Sequence, residues 1–243
     1  MKTKLDISKY RGILFDLDGT LIDSVPIWVG ADRETLRHFG ATPRDDFEGE
    51  VRAFFQAEHN QMKDIFDEYS RYFIEMYGLK NVTVCEYRQV REKIAHARLV
   101  QLNYKSNAGL LLTLLKEMRY QLCLVTVGYK NVIDFLTNQN KVLSPNLGTV
   151  FGDNIVTSDM VTRKKPNPEA YYVALSRLGL PLNECLVFED SLEGVTAATK
   201  AGLDVCVVHA RHADVCRGEI EALTPYHIQS FDEVTVELLN DWE

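Results

Sequence analysis

The sequence predicts an α/β protein, in which helices cover both faces of a parallel sheet and a separate helical module follows the first strand. Three observations support this: short apolar runs that each lead to a polar residue, helical patterns that alternate with these runs in the second half of the chain, and a strand-free helical stretch over residues 27–104. Continuous apolar runs of this length are typical of strands buried on both faces. The alternating order implies parallel strands with right-handed crossovers.

Four apolar runs predict the strands of this sheet. They are Gly12–Phe15, Leu122–Val125, Cys185–Phe188 and Asp204–Val208. The first three lead directly to Asp16, to Thr126 and to the pair Glu189 and Asp190. Ligands of parallel α/β sheets bind beyond the carboxyl ends of the strands, so we expect these polar residues to converge on one crevice.

Four helical patterns alternate with the strands. They cover Asn107–Tyr120, Tyr129–Asn140, Pro168–Leu178 and Leu192–Ala201. The third pattern has proline in its first turn and is followed by Gly179, and Gly202 closes the fourth. Proline near the start of a helix and glycine just after its end are the expected boundary signals.

The stretch after the first strand is almost wholly helical in pattern. Its helical patterns are Ile27–Phe39, Gln61–Tyr77 and Cys85–Leu102, and glycine follows the first two. We therefore predict a helical domain over residues 25–104. Residues 1–24 and 105–243 are predicted to form the α/β core.

Composition excludes several classes of function. A net charge of −8 argues against nucleic-acid binding as the main activity, because phosphate backbones require clustered Lys and Arg. The five cysteines are far apart and predict reduced thiols rather than a disulfide or zinc framework. The first residues lead into no apolar segment of a signal peptide, and no apolar run approaches membrane-spanning length. We expect a cytoplasmic protein without a membrane partner, monomeric or dimeric.

The acidic residues at the predicted strand ends indicate a metal-assisted reaction. Two acidic centres at one edge of a sheet repel each other unless a hard divalent cation neutralises them, and oxygen ligands favour Mg²⁺ over zinc. The spacing of Asp16 and Asp18 lets two carboxylates address one substrate. One can attack while the other moves a proton to and from the leaving oxygen. Gly19 then permits a close approach of the backbone.

Other polar residues at these ends suit a phosphoryl group. Thr126 offers a hydroxyl, the amides of Val127 and Gly128 offer further donors, and Lys165 offers a positive charge. Each feature alone has an ordinary explanation, such as a strand-end hydroxyl, a surface charge or, for Glu189-Asp190-Ser191, a helix N-cap. Their combination, in this order, is far more specific.

These motifs resemble those of the haloacid dehalogenase (HAD) superfamily over essentially the whole chain. The first motif is Asp16-Leu17-Asp18-Gly19-Thr20-Leu21-Ile22-Asp23-Ser24. The resemblance identifies Thr126 as the second motif, Lys165-Pro166 as the third and Glu189-Asp190-Ser191 as the fourth. It is to the phosphoglycolate phosphatase and β-phosphoglucomutase-like branch, and it implies a Rossmann-like core with an inserted, all-helical C1-type cap.

The resemblance also implies a cofactor and a mechanism. Mg²⁺ is expected on the Asp16 carboxylate, the Asp18 backbone carbonyl and Asp190, with Glu189 as a further partner. Asp16 is expected to take the phosphoryl group of a small phosphorylated metabolite as an aspartyl-phosphate. Asp18 would protonate the leaving alcohol and then act as base for the hydrolytic water, while the cap closes and excludes bulk solvent.

Three alternatives within this superfamily bear on the reaction. The dehalogenases resemble this chain but lack the second aspartate of the first motif, so Asp18 favours phosphoryl transfer. Phosphonatases use a cap lysine as a Schiff base, for which Lys93 and Lys105 are candidates, although each is more readily interpreted as a solvated helix charge. β-Phosphoglucomutase-like enzymes carry a cap histidine where Trp28 stands here. Trp28 cannot relay a proton, which favours a phosphatase and leaves the mutase as the alternative.

A non-catalytic binding protein on the same fold is a further alternative. Such a protein is expected to lose its nucleophile or a metal ligand. Every motif position is filled here, from Asp16 to Asp190, which favours an enzyme.

Overall fold

The computed structural model describes residues 5–56 and 65–242 of the chain. The chain divides into two compact units, one formed by Met1–Asp23 and Gln101–Glu243 and the other by Ser24–Val100. The sequence placed the boundaries after residue 24 and before residue 105. The larger unit carries the sheet, and the smaller unit is helical in its described residues.

A six-stranded parallel sheet organises the larger unit. Its strands are β1 (Gly12–Phe15), β2 (Gln121–Val125), β3 (Ile155–Val156), β4 (Cys185–Glu189), β5 (Asp204–Val208) and β6 (Tyr226–Ile228). They lie in the order β3-β2-β1-β4-β5-β6, and every neighbouring pair is parallel. The four predicted strands are confirmed. The edge strands β3 and β6 were not predicted, because two and three residues are too few to form a recognisable apolar run.

Seven helices surround the sheet in the described part of this unit. They are α5 (Ala108–Glu117), α6 (Lys130–Gln139), α7 (Leu147–Phe151), α8 (Glu169–Leu178), α9 (Leu192–Lys200), α10 (Arg217–Leu223) and α11 (Asp232–Trp242). The four predicted helices are confirmed with ends within about three residues, an ordinary uncertainty for helix boundaries. The helices α7, α10 and α11 were not predicted. Among the described residues, every helix is too short or too polar to traverse a lipid bilayer.

The two central strands are buried along their whole length. On one face, Phe15 of β1 stacks on Phe188 of β4 with ring centroids 5.2 Å apart, and Phe231 packs against both rings. On the other face, Leu14 and Val187 belong to an apolar cluster with residues of α8 and α9. Burial on both faces explains why these strands appear in the sequence as unbroken apolar runs.

The described part of the smaller unit is a set of four helices. These are α1 (Val25–His38), α2 (Phe47–Gln56), α3 (Ile65–Met76) and α4 (Val84–Leu99). Their shared core consists of Leu36, Phe47, Phe54, Tyr69, Phe73 and Tyr87. The helix α2 was not predicted, because acidic and basic residues separate its apolar positions. The predicted helix Gln61–Tyr77 corresponds to α3, and its predicted start at Gln61 lies outside the described residues.

A buried ion pair joins two helices of the smaller unit. Asp32 of α1 is 1% exposed and accepts hydrogen bonds from Nε of Arg91 on α4 at 2.5 Å and from the Tyr69 hydroxyl at 2.7 Å. The Trp28 ring lies against the Arg91 guanidinium, with 4.6 Å between its centroid and Cζ. Removing one partner of such a pair leaves a buried charge uncompensated.

We expect Arg91→Met to lower the free energy of unfolding by about 3–5 kcal/mol, because Asp32 keeps its charge without a counter-ion. Urea denaturation followed by circular dichroism measures this. The control is Arg11→Met, which removes the ion pair of Arg11 with Glu184 at the surface and should cost less than about 1 kcal/mol. Equal losses of unfolding free energy in the two variants would show that the buried pair stabilises the protein no more than the surface pair.

Candidate active site

Three carboxylates meet at the carboxyl ends of β1 and β4. Asp16 is 5% exposed, Glu189 is 0% exposed and Asp190 is 1% exposed. A ligand oxygen of each lies within 4.8 Å of the others. The parallel register that pairs Phe15 with Phe188 places them together, and the Asp16 amide continues it by donating to the Phe188 carbonyl at 3.0 Å. The predicted convergence of the first and fourth motifs is therefore present.

Lys165 lies among these carboxylates. Its Nζ donates to Asp16 Oδ1 at 2.8 Å, to Glu189 Oε1 at 2.7 Å and to the Val125 carbonyl at 2.9 Å. The side chain is only 2% exposed, so the interpretation as a surface charge does not apply. Burial acts to lower the pKa of Lys165, but the carboxylates of Asp16 and Glu189 outweigh it and raise the pKa well above its ordinary value. Lys165 is therefore a fixed positive charge.

Glu189 is held by protein donors on both of its oxygens. Oε2 accepts from the Asp190 amide at 2.8 Å and from the amide and hydroxyl of Ser191 at 3.0 and 3.1 Å. Oε1 accepts from Lys165 and, at 3.4 Å, from the hydroxyl of Tyr171 on α8. A Cβ at Gly194 would overlap this carboxylate. Glu189 thus links Lys165 to the turn that carries Asp190. The hydrogen bond from Tyr171 to Glu189 was not predicted.

Asp190 has one oxygen held by the protein and one without a hydrogen bond. Oδ1 accepts from the Thr20 hydroxyl at 2.6 Å, whereas Oδ2 is buried and accepts no hydrogen bond from the described residues. His212 places its Nε2 3.0 Å from Oδ2. Gly19 has φ +97° and passes so close that a Cβ there would overlap both Oδ2 and the His212 ring. Only glycine fits this position, as the predicted tight backbone approach requires.

His212 was not predicted, because it lies after β5 in no recognisable motif. Burial acts to lower the pKa of His212, but the Asp190 carboxylate outweighs it and raises the pKa above its ordinary value. His212 is therefore an ion-pair partner of Asp190 when its imidazole is protonated, the form that this carboxylate favours.

The charges of the site do not balance by themselves. Burial raises the pKa of Asp16 well above its ordinary value, and the carboxylates of Glu189 and Asp190 raise it further against the opposing effect of Lys165. A divalent cation at the cluster would offset the excess negative charge and favour ionised Asp16. The donors are oxygens and include the buried Oδ2 of Asp190, which accepts no hydrogen bond from the described residues, so the cluster fits a hard divalent cation.

The second motif lies at the end of β2. The Thr126 hydroxyl donates to Asp18 Oδ2 at 3.3 Å and accepts from the Gly128 amide at 2.9 Å. Ser158 supports this turn, since its amide donates to the Gly128 carbonyl at 3.0 Å and its hydroxyl to the Val127 carbonyl. The Gly128 amide, predicted as a donor to a phosphoryl oxygen, is thus used within the turn. The Val127 amide stays a predicted donor.

Lys105 is not the solvated helix charge that the sequence suggested. It lies in the loop before α5 and is half-buried, and its Nζ donates to the carbonyls of Gly19 at 2.5 Å and His209 at 3.0 Å. The interpretation was wrong because these acceptors come from distant segments. Lys93, by contrast, is exposed on α4.

Comparison with known proteins decides the family. A protein-family sequence model described as haloacid dehalogenase-like hydrolase matches residues 13–208, which include all four motifs. The chain belongs to the haloacid dehalogenase-like hydrolase family. It is accordingly an enzyme of the HAD superfamily, as the motifs suggested.

Two relatives of this HAD enzyme span most of its length. Hexitol phosphatase A of Escherichia coli (strain K12) is 30% identical over 227 residues, which cover 93% of this chain and 94% of that protein. Pyrophosphatase PpaX of Bacillus velezensis is 31% identical over 202 residues, which cover 80% and 81% of the two chains. Both relatives are named for phosphate hydrolysis, although the groups that they release differ.

A solved structure shows that the fold of this HAD enzyme is shared. CbbY from Rhodobacter sphaeroides, determined in complex with phosphate, has a TM-score of 0.74 at 23% sequence identity. The similarity covers 91% of this chain and 95% of CbbY. The α/β class with a parallel sheet is therefore confirmed.

Proposed function

We propose that this HAD enzyme is a Mg²⁺-dependent phosphatase of a small phosphorylated metabolite, a sugar phosphate or a phosphoglycolate-like compound. The observation that carries the proposal is the position of Asp16, whose buried carboxylate contacts Lys165 and lies within ligand distance of Asp190. The Escherichia coli relative, named as a hexitol phosphatase, supports a polyol or sugar phosphate as substrate.

The first step is an attack of Asp16 on phosphorus. A carboxylate oxygen of Asp16 bonds to phosphorus while the bond between phosphorus and the leaving oxygen breaks, and an aspartyl-phosphate forms. Asp18, protonated, gives its proton to the leaving alcohol. Lys165 supplies positive charge beside Asp16, and the Thr126 hydroxyl and Val127 amide are the donors for the phosphoryl oxygens.

The second step releases phosphate. Asp18, now a carboxylate, takes a proton from water as the water oxygen attacks phosphorus and the bond to Asp16 breaks. In the substrate-free structure the Thr126 hydroxyl donates instead to Asp18 Oδ2, at 3.3 Å. Asp16 is regenerated as a carboxylate.

Three groups are proposed as ligands of the metal. Asp16, the Asp18 carbonyl and Asp190 would hold Mg²⁺, which when bound supplies positive charge against the carboxylates and the phosphoryl group. Both oxygens of Glu189 already accept hydrogen bonds, so we place Glu189 behind the ligands, where it fixes Lys165 and the Asp190 turn.

Removal of Mg²⁺ with a chelator should abolish hydrolysis of p-nitrophenyl phosphate, and added Mg²⁺ should restore it. Mg²⁺ should also raise the melting temperature of the substrate-free protein, because a cation that binds only the folded state stabilises it. Asp190→Asn should reduce this thermal shift, whereas Asp134→Asn, on the exposed face of α6, should leave it unchanged. Turnover that persists without metal would contradict the ligand assignment.

A panel of phosphorylated metabolites, assayed for both free phosphate and isomerised product, tests the function. Release of phosphate supports the phosphatase, and an isomerised sugar phosphate would identify the mutase instead. Binding without turnover would identify a non-catalytic protein. Trp28 packs on Arg91, which gives it a structural role, and the absence of histidine there still counts against the mutase.

A further inference from the structure

Lys105 joins three segments of the larger unit. Its Nζ donates to the Gly19 carbonyl at 2.5 Å, in the turn after β1, and to the His209 carbonyl at 3.0 Å, directly after β5. Its own amide donates to the Leu21 carbonyl at 2.8 Å. The residue before it, Tyr104, forms an antiparallel bridge with Ile22. Lys105 therefore fastens the turn after β1 through both its backbone and its side chain.

This turn determines the position of Asp18. The Gly19 amide donates to the Ile22 carbonyl at 2.7 Å, which fixes the peptide group between Asp18 and Gly19. The Gly19 carbonyl is fixed by Lys105. Both peptide groups that flank Gly19 are thus restrained, and Gly19 has a φ of +97° that few other residues adopt. Without the ammonium group, the Gly19 carbonyl would lose this restraint, one residue after Asp18 in the chain.

We propose that Lys105 is a positioning residue for Asp18, which it holds through the Gly19 carbonyl in the orientation needed to protonate the leaving oxygen. This proposal rests on the proposed phosphatase mechanism. It assigns Lys105 no contact with the substrate and no covalent chemistry. Its Nζ already donates to two backbone carbonyls, which agrees with a bracing role rather than with that of a Schiff-base nucleophile.

The leaving group of the substrate distinguishes this role from general structural support. Protonation matters greatly for an alkyl phosphate, whose leaving alkoxide is strongly basic, and little for p-nitrophenyl phosphate. The ratio kcat/KM reports the steps up to transfer of the phosphoryl group to Asp16. Lys105→Met should lower kcat/KM by about 10- to 100-fold for the best alkyl phosphate of the panel and by less than about threefold for p-nitrophenyl phosphate.

The matched control is Lys116→Met. Lys116 also donates from Nζ to a backbone carbonyl, that of Val150 at 3.3 Å, but it lies on α5 and Val150 belongs to none of the four motifs. Its substitution should leave kcat/KM unchanged for both esters. Lys105→Gln, which keeps an uncharged donor group, should show the same preference with a smaller loss and serves as the test if Lys105→Met does not fold.

A double variant tests whether Lys105 acts through Asp18. Asp18→Asn should show the same leaving-group dependence as Lys105→Met, and combining the two substitutions should cost little more than Asp18→Asn alone, since both act on one proton transfer. Equal losses for the two esters, no loss, or fully additive losses in the double variant would overturn the proposal while the phosphatase function stands. A wild-type protein that hydrolyses neither ester would overturn both proposals.

Discussion

Asp16→Asn is expected to lower the rate of phosphate release from p-nitrophenyl phosphate by about three orders of magnitude or more, the scale on which loss of a nucleophile acts. An amide cannot attack phosphorus and regenerate as a carboxylate does. The fold should survive, because the amide oxygen can still accept from Lys165 and one of three neighbouring carboxylates has been neutralised. Steady-state phosphate release and the melting temperature together measure both expectations.

Asp134→Asn is the matched control for this substitution. It makes the same chemical change at an exposed position on α6, where Asp134 pairs with Lys130. Its activity should equal that of the wild-type protein. If Asp16→Asn kept more than about a tenth of the wild-type rate, the attack by Asp16 would be ruled out on the magnitudes known for nucleophile loss.

Lys165→Met is expected to reduce both activity and stability. The substitution leaves Asp16 and Glu189 buried without their shared positive charge, and breaking a buried ion pair in this way costs about 3–5 kcal/mol. Activity should fall by about 100-fold or more, because the ammonium group also stabilises charge that develops on the phosphoryl group. Urea denaturation in the presence of chelator measures the first effect, and phosphate release with Mg²⁺ measures the second.

Two further variants separate charge from packing at Lys165. Lys130→Met removes a surface ion pair with Asp134 and should change stability by less than about 1 kcal/mol. The double variant Asp16→Asn/Lys165→Met should recover part of the stability lost in Lys165→Met, because it buries one uncompensated carboxylate fewer. Failure of the double variant to recover any stability would show that the loss comes from packing alone.

The residues at the ends of buried strands could be predicted from the sequence. Asp16, Thr126 and the Glu189-Asp190 pair each follow an apolar run, and parallel pairing brings such positions to one edge of the sheet. The Lys165-Pro166 motif of the resemblance also placed Lys165 at the site, and its Nζ donates to Asp16 Oδ1 at 2.8 Å, as expected for a charge partner. Local pattern was sufficient for the strand-end residues because each adjoins a strand that burial makes recognisable, whereas Lys165 lies in the loop before α8 and was identified from its motif.

The supporting contacts could not be predicted. Tyr171 reaches Glu189 from α8, His212 reaches Asp190 from the segment after β5, and Lys105 joins two loops from outside every motif. These contacts depend on how helices and loops pack over the finished sheet, for which no local spacing exists. For the same reason the sequence assigned the Gly128 amide to the substrate, whereas the turn uses it for Thr126.

The central claim is that Asp16 carries the phosphoryl group during turnover. The most direct measurement is to stop the wild-type enzyme in acid while it hydrolyses an excess of substrate, digest it at low pH and locate the phosphoryl group by mass spectrometry. The mechanism predicts an acyl phosphate on the peptide that contains Asp16, absent from Asp16→Asn. A phosphoryl group on any other side chain would contradict it.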